Sequence, residues 1–371
     1  MNIVHLTSAH PRFDTRIFVK QCRSLKEAGH DVTLVVADGM GSATRHGVKI
    51  IDVGAATGRI SRMLSSTRRV IAAARASDFE VCHIHDPELL AGGLSLKRRG
   101  RKVVYDAHED LPRQIMTKTY LPSLLRRPVA GAAEIYERFI CRRLDGVVAA
   151  TPAIRDRFLS MGCKAIDINN YPDLRDVSVP ASSWSAKTRG VCYIGSISAG
   201  RGVRELVQAA VLLDGDTRIH LAGKFSEKAT EREARAHAGW SRIVPHGHVG
   251  RAAINGILAR SIAGVVTLHP TSSYVQSLPV KMFEYMAASI PVVASDFPLW
   301  RQIAGSEECG IFIDPMDPSQ IASAINYLVA NQDEARRMGA NGRRLVETKY
   351  NWKSEEKKLI ELYQRLACQA R

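Results

Sequence analysis

The sequence predicts an α/β protein made of two doubly wound domains, each a mainly parallel sheet wrapped by helices. Three observations carry this. Short β-branched runs alternate with helical periodicities, the order that favours parallel pairing. The plan restarts midway, at "RGVCYIGSIS". Between the two copies lies "NNYPDLRDVSVPASSWSAKTRG", rich in Pro, Ser and Asp, which reads as a linker. At 371 residues the chain is long enough for two or three ordinary cores.

The first copy opens with the strand "NIVHLTS". The helix "RIFVKQCRSLKEAG" follows, with Phe18, Cys22 and Leu25 on one face and Gly29 as its stop. The strand "HDVTLVV" completes a strand–helix–strand unit, and "GVKIIDV", "EVCHIH", "KVVYDA" and "GVVAAT" extend it. In the second copy a helix places Val203, Leu206, Val207, Ala210 and Val211 on one side. The strands "TRIHLAG", "RIVPHG", "GVVTLH", "PVVAS" and "GIFID" then follow. The last segment carries Leu359, Leu362, Tyr363 and Leu366 on one helical face that must dock somewhere. The expected domains are 1–170 and 186–351, with the terminal helix, 352–371, packing back on the first. Ligands of such sheets sit beyond the carboxyl ends of the strands, so the expected site is a cleft between the domains.

Composition narrows the class. No run of 18 apolar residues marks a membrane span, and the N-terminus lacks the pattern of a secretory signal. Seven scattered cysteines without a CxxC pair fit a reducing compartment, so a cytoplasmic location is expected. The formal charge is +15, and residues 59–143 alone hold 17 Lys and Arg against 9 Asp and Glu. Such a surface attracts polyanions: nucleic acid, anionic lipid or diphosphates. Aromatic residues make up only 6%, and no nucleic-acid motif is present, so no nucleic-acid partner is expected.

Candidate chemistry collects in the loops after strands. In "QSLPVKMFEYMAASIPVVAS", Pro279 opens a helix on which Lys281 and Glu284 lie three apart. An arbitrary helix would make of them a surface ion pair. Here the helix follows a strand end, and the small pair Ala287–Ala288 leaves room for close approach. A carboxylate at Glu284 matches the two vicinal hydroxyls of a ribose, and an ammonium at Lys281 suits a diphosphate. The loop "GSISAGRGVREL" offers Gly195, Gly200 and Gly202 for backbone approach. Arg201 stands at the following helix N-terminus, an unfavourable place for a cation unless an anion binds there. In the first half, "SAHPRFDTRIF", "CHIHDPELL" and "VYDAHEDLPRQ" bring His10, His85 and His108 towards one sheet edge with Asp14, Asp86, Asp106 and Glu109. His and carboxylates are metal ligands, but without further ligand spacing no metal is expected. His108, beside two acids just past a strand, is a candidate catalytic group, together with Arg201 and Glu284.

Taken together, "HPRFDTRIFVKQCRSLKEAGHDV", "HIHDPELL", "VYDAHEDLP", "YIGSISAGRGVRELVQA", "LPVKMFEYMAASIPVVAS" and the terminal "YNW…LY" resemble the retaining family-4 glycosyltransferases. That family has two Rossmann-like domains facing across a cleft, the GT-B fold, and the resemblance spans essentially the whole chain. It implies sugar transfer from a nucleotide-diphosphate donor to a hydroxyl acceptor, with retention, without metal or other cofactor, in cell-surface polysaccharide or glycolipid synthesis. It implies that Glu284 binds the ribose and that Arg201, helped by Lys281 and Lys224, binds the diphosphate. By the same resemblance His248 and Val249 line the base, and Gly195, Gln276 and Leu278 complete the donor pocket. His108 lies near the transferred sugar. Two departures stand out. The family commonly has two glutamates with seven residues between them, and the first is Gln276 here. The glycine loop after the first strand is replaced by "SAHPRFD", with Arg12 and Arg16 as substitute anion contacts.

Arg59, Arg62, Arg68 and Arg69 surround Ile60, Met63 and Leu64, while Arg126 and Arg127 follow Leu124 and Leu125. This mixture predicts a lipid-linked or oligosaccharide acceptor and peripheral attachment to an anionic membrane surface, the inner face of the plasma membrane. Solvated helix faces would give the same pattern. A nucleotide-sugar epimerase of the same fold and a non-catalytic sugar-nucleotide or nucleic-acid binder are the alternative functions.

Overall fold

The computed structural model describes residues 1–58, 61–117, 121–177, 184 and 187–368. The chain divides into two compact units, Met1–Asn170 with Lys353–Arg371, and Tyr171–Trp352.

The first unit holds strands β1 (Asn2–Leu6), β2 (Asp31–Val36), β3 (Ala43–Arg45), β4 (Val48–Asp52), β5 (Val81–Ile84), β6 (Lys102–Ala107), β7 (Gly146–Ala149) and β8 (Ala165–Asp167). Their order is β3-β4-β2-β1-β5-β6-β7-β8, and only the β3–β4 pair is antiparallel. β5 and β7 are buried along their whole length, as apolar strands covered on both faces must be. The expected strands form. The short β3 and β8 carry no apolar run, which is why the pattern did not mark them. The first helical segment begins as a wide turn, Thr15–Cys22, before tightening to α-helix at Arg23–Glu27. Phe18, Cys22 and Leu25 are buried there. Asp14 caps its start by accepting from the Arg16 and Ile17 N–H groups. The final helix, Trp352–Cys368, belongs to this unit and buries Leu359, Leu362, Tyr363 and Leu366.

The second unit holds β9 (Gly190–Ile194), β10 (Arg218–Ala222), β11 (Ile243–Gly247), β12 (Ala263–Val266), β13 (Val292–Ser295) and β14 (Gly310–Ile313), all parallel, in the order β11-β10-β9-β12-β13-β14. This is the doubly wound order that reverses beside the first strand. Alternate residues of β9 feed two cores. Val191 and Tyr193 face one, and Cys192 and Ile194 the other. The segment read as a linker partly joins this unit: the Tyr171 ring packs edge-on to Phe283 and Tyr350 at 4.8 and 5.2 Å. Val211 was expected on the buried helix face. It lies past the end of the helix Val203–Ala210 and is exposed.

Candidate functional site

In the second unit the site is built at the carboxyl ends of β9 and β12 and on the helix Val280–Ala287, from its first turn. Pro279 is the N-cap of that helix, and Met282, Phe283, Tyr285 and Met286 bury it. The Tyr285 hydroxyl accepts from the Ile194 N–H of β9 at 2.9 Å. Gly264 on β12 makes space for that ring, since a Cβ there would lie 2.1 Å from it. These contacts fix where Lys281 and Glu284 emerge.

Lys281 and Glu284 do not pair with each other. Glu284 accepts from Arg251 at 2.7 Å. Lys281 is buried, its Nζ has no hydrogen-bond partner, and it lies 3.4 Å from the centre of the Tyr193 ring. Burial, reinforced by the positive charge of Arg201, pushes the Lys281 ammonium well below the usual lysine range, against a weaker opposite pull from Glu284. A buried, unpartnered amine beside a second cation is an arrangement that an anion would complete.

Arg201 ends the short turn Ala199–Arg201, before the helix Val203–Ala210. Its carbonyl accepts from the Tyr193 hydroxyl at 3.3 Å, and its guanidinium lies 5.9 Å from the Tyr274 ring centre. Gly202 turns the chain at φ +76°, where a Cβ would lie 2.0 Å from the Thr267 carbonyl. Gly195 has φ +110° and lies under the loop after β10, close enough that a Cβ on Gly223 would strike its carbonyl. Arg201, Lys281 and Tyr193 thus form one cluster, with Glu284 a turn further along the Lys281 helix.

The remaining expected donor residues sit around it. Leu278 and Val249 are half-buried against the same core. Gln276, Lys224 and His248 are exposed on the loops after the helix Ser272–Val275, β10 and β11. Ala287 and Ala288 were expected to leave room for the close approach of another group. The group that approaches is the helix Gln332–Thr348: Arg343 donates to the Ala287 carbonyl at 2.6 Å, and Gly339 approaches Ser289 so closely that a Cβ would lie 2.2 Å from its carbonyl. Sequence reasoning missed Arg251. Its signal was the same as that of Arg201, a cation at a helix N-terminus, here Arg251–Arg260.

In the first unit, His10, His85, His108, Asp14, Asp86 and Asp106 come together. The rings of His10 and His108 are 4.7 Å apart. His10 lies 3.6 Å from Asp14 and 3.4 Å from Asp86. Burial lowers the His10 pKa, but the two acids outweigh it and the net shift is upward. Asp14, raised by burial and lowered more by His10 and the Ile17 N–H, falls to about 2. His108 Nε2 is 3.2 Å from His85 Nδ1 and 3.5 Å from Asp106. Glu109 is exposed and makes none of these contacts among the described residues.

Arg12 and Arg16 are not anion contacts. Arg12 is buried and bidentate to Asp38, at 2.8 and 2.6 Å. Arg16 is buried, grips Asp106 at 2.7 and 3.0 Å and donates to the Ile168 carbonyl. A buried guanidinium needs its carboxylate, so neither is free for phosphate. Asp86 organises the loop that replaces the glycine turn, accepting from Thr7 Oγ1 at 2.9 Å and from the Ser8 and Ala9 N–H groups at 2.6 and 3.2 Å.

Among the described residues, two groups bring donor atoms within 4.8 Å of one another, His5–His83–His85 and His85–Asp106–His108. In the first, His5 Nδ1 already pairs with His85 Nε2 at 2.9 Å, and the rings of His83 and His85 stack at an interplanar angle of 17°. The His5–His85 pair is thus held by a hydrogen bond, while His83 Nε2 is buried without a partner.

Two doubly wound domains of this topology, the second with a cationic cluster at its strand ends, define a GT-B glycosyltransferase. The chain belongs to that enzyme class by sequence as well: the Glycosyl transferase 4-like domain matches residues 15–169, and Glycosyl transferases group 1 matches residues 176–345. It is 22% identical over 304 residues to the MMP alpha-(1->4)-mannosyltransferase of Mycolicibacterium hassiacum, covering 80% of this chain and 72% of that one. It is 23% identical to the phosphatidyl-myo-inositol mannosyltransferase of Mycobacterium leprae, covering 78% and 74%. Among solved structures, sucrose-phosphate synthase from Thermosynechococcus elongatus superposes with a TM-score of 0.81 at 18% identity over the full length of both chains. Anabaena HepE in complex with UDP superposes with a TM-score of 0.73 at 14% identity, over 98% of this chain and all of that one.

Proposed function

We propose that this glycosyltransferase takes a sugar from a nucleoside-diphosphate sugar and transfers it with retention, and without a metal, to a hydroxyl of a lipid-linked saccharide in glycolipid or polysaccharide synthesis. The observation that carries the reading is Lys281, a buried amine with no partner, clustered with Arg201 and one helical turn from Glu284. Glu284, oriented by Arg251, takes the ribose hydroxyls. Arg201 and Lys281 stabilise the diphosphate as the glycosidic bond breaks, the charge neutralisation a divalent ion would otherwise supply. Gly195, Lys224, His248, Val249, Gln276 and Leu278 line the donor, and His108 hydrogen-bonds the transferred sugar. The leaving phosphate accepts the acceptor's proton on the same face, which accounts for retention without a protein nucleophile. The complexes of Anabaena HepE with UDP and with UDP-glucose support a nucleotide-sugar donor.

The acceptor reading has its own support. On the helix Ser123–Cys141, Leu124 is 89% and Ile135 71% exposed, and Leu125 and Phe139 are exposed beside Arg127 and Arg138. An apolar ridge with basic flanks suits an anionic bilayer. The other patch is weaker. Arg62 lies 3.4 Å from Glu88, and Arg69 donates to the Gly54 and Ala55 carbonyls, while Arg59 and Ile60 lie outside the described residues. No helix among the described residues is long and apolar enough to cross a membrane.

A thermal-shift series with uridine, guanosine and adenosine diphosphates, with and without EDTA, tests the donor site. One base is expected to raise Tm equally in both, and Glu284→Ala to abolish the rise while leaving the protein folded. A rise that requires added metal, or that survives in Glu284→Ala, refutes the assignment. Pelleting with anionic vesicles at low salt tests the surface, and Leu124→Asp with Ile135→Asp is expected to release the protein.

A further inference from the structure

A chain of buried groups in the first unit runs from the terminal helix to His108. Its far end is His83, whose Nε2 is buried and has no hydrogen-bond partner. A buried N–H without an acceptor costs more than an unfilled lone pair, so the hydrogen of His83 belongs on Nδ1. Nδ1 lies 2.8 Å from the Tyr363 hydroxyl and donates to it. The Tyr363 O–H then turns to its other neighbour, His5 Nε2, at 3.5 Å. That leaves the His5 hydrogen on Nδ1, which donates to His85 Nε2 at 2.9 Å. The His85 hydrogen is therefore on Nδ1, between His108 Nε2 at 3.2 Å and Asp106 Oδ2 at 3.4 Å. Burial pushes the pKa of His5, His83 and His85 below the ordinary histidine value, so each carries one hydrogen, as the chain requires. Asp106 pulls the other way, since a carboxylate 3.5 Å from His108 Nε2 favours a hydrogen there. Its Oδ2 is already filled by Arg16 Nε at 3.0 Å and Gln21 Nε2 at 2.7 Å.

We propose that His85 is a positioning residue for His108: the chain Tyr363–His5–His85 holds His108 in the tautomer with hydrogen on Nδ1. His108 then presents a hydrogen-bond donor to the donor sugar and keeps Nε2 turned inward as an acceptor. The inference rests on the role of His108 proposed above. It makes Tyr363, on the last helix of the chain, part of the site's electrostatics through two intervening rings.

The tautomer is read directly from ¹⁵N NMR of ring-labelled histidines in the full-length protein, with His108 assigned through His108→Gln. The expected spectrum shows His108 protonated at Nδ1. His5→Leu, which cuts the chain, is expected to move the hydrogen towards Nε2. His5→Asn, which keeps an N–H where Nδ1 stood, is expected to restore it. Tyr363→Phe is expected to act like His5→Leu. It should lower kcat about tenfold with donor KM changed less than about twofold, and displace the pH–rate profile, which a loss of packing alone would not do. Hydrogen on Nε2 in the unmodified protein, or a tautomer indifferent to both His5→Leu and Tyr363→Phe, overturns the proposal. Full turnover in His108→Gln, with the tautomer as expected, instead removes the role of His108 on which the positioning claim depends.

Discussion

Lys281 is an amine that folding strips of water without giving it an acceptor. Its contact with the Tyr193 ring recovers part of that cost, while burial still works against the charged form of the amine. Replacement by the similarly long, apolar Met is therefore expected to stabilise the free protein, by about 1 kcal/mol, because no buried donor is left unmet. The same change is expected to abolish the rise in Tm with a nucleoside diphosphate. Thermal melts of Lys281→Met with and without the nucleotide check both halves, and a variant that is less stable yet still binds contradicts them. Arg251 behaves differently. Its side chain is 38% exposed, so its pair with Glu284 adds little to stability, and Arg251→Gln is expected to change unfolding free energy by less than about 0.5 kcal/mol. It does hold one oxygen of Glu284, and losing that orientation is expected to weaken nucleotide affinity about fivefold by calorimetry.

At the scale of elements, the turn between β9 and the helix Val203–Ala210 depends on Gly202. A side chain there meets both a left-handed backbone and the Thr267 carbonyl, so Gly202→Ala is expected to cost about 3 kcal/mol and to displace Arg201. Chemical denaturation checks the first effect, and loss of nucleotide binding in the surviving folded fraction the second. This turn also shows what a sequence discloses. A glycine after a strand, a cation at a helix start and a carboxylate on a later amphipathic helix are local signals, legible without knowing which elements meet. Arg251 and the filling of the Ala287–Ala288 notch by the helix Gln332–Thr348 depend on which elements meet, which periodicity does not state. The fate of Arg12 and Arg16 is similar. Both were visible as cations near a strand end, but their carboxylates, Asp38 and Asp106, are 26 and 90 residues away in sequence. β3 and β8, with no apolar alternation, are held by their neighbours in the sheet and leave no pattern of their own.

For the whole molecule, buried histidines set the response to acid. Burial lowers the pKa of His5, His83 and His85 in the first unit, and of His220 and His246, which pair at 3.0 Å, in the second. As pH falls through the ordinary histidine value of about 6.5, the unfolded chain takes up protons at these positions and the folded chain does not, so folding weakens. His10 opposes this: its pKa is raised, so its contribution is fully present below about 6.5 and fades as pH rises through its folded value. Asp14, held at about 2, keeps its contribution throughout this window. In the first unit His30 is lowered as well, by burial and the chain's amino terminus, so four groups weaken folding on acidification, each by up to about 1.4 kcal/mol per pH unit well below pH 6.5, where His10 is protonated in both states and adds no slope. Unfolding followed between pH 7.5 and 5.5 is expected to show stability level at the upper end and falling steeply below 6.5. His5→Leu is expected to make the fall shallower by about one proton's worth, because it removes one of the groups that cannot charge in place. Stability that rises on acidification, or a slope unaffected by His5→Leu, would mean that the buried ring chain accepts a proton within the fold.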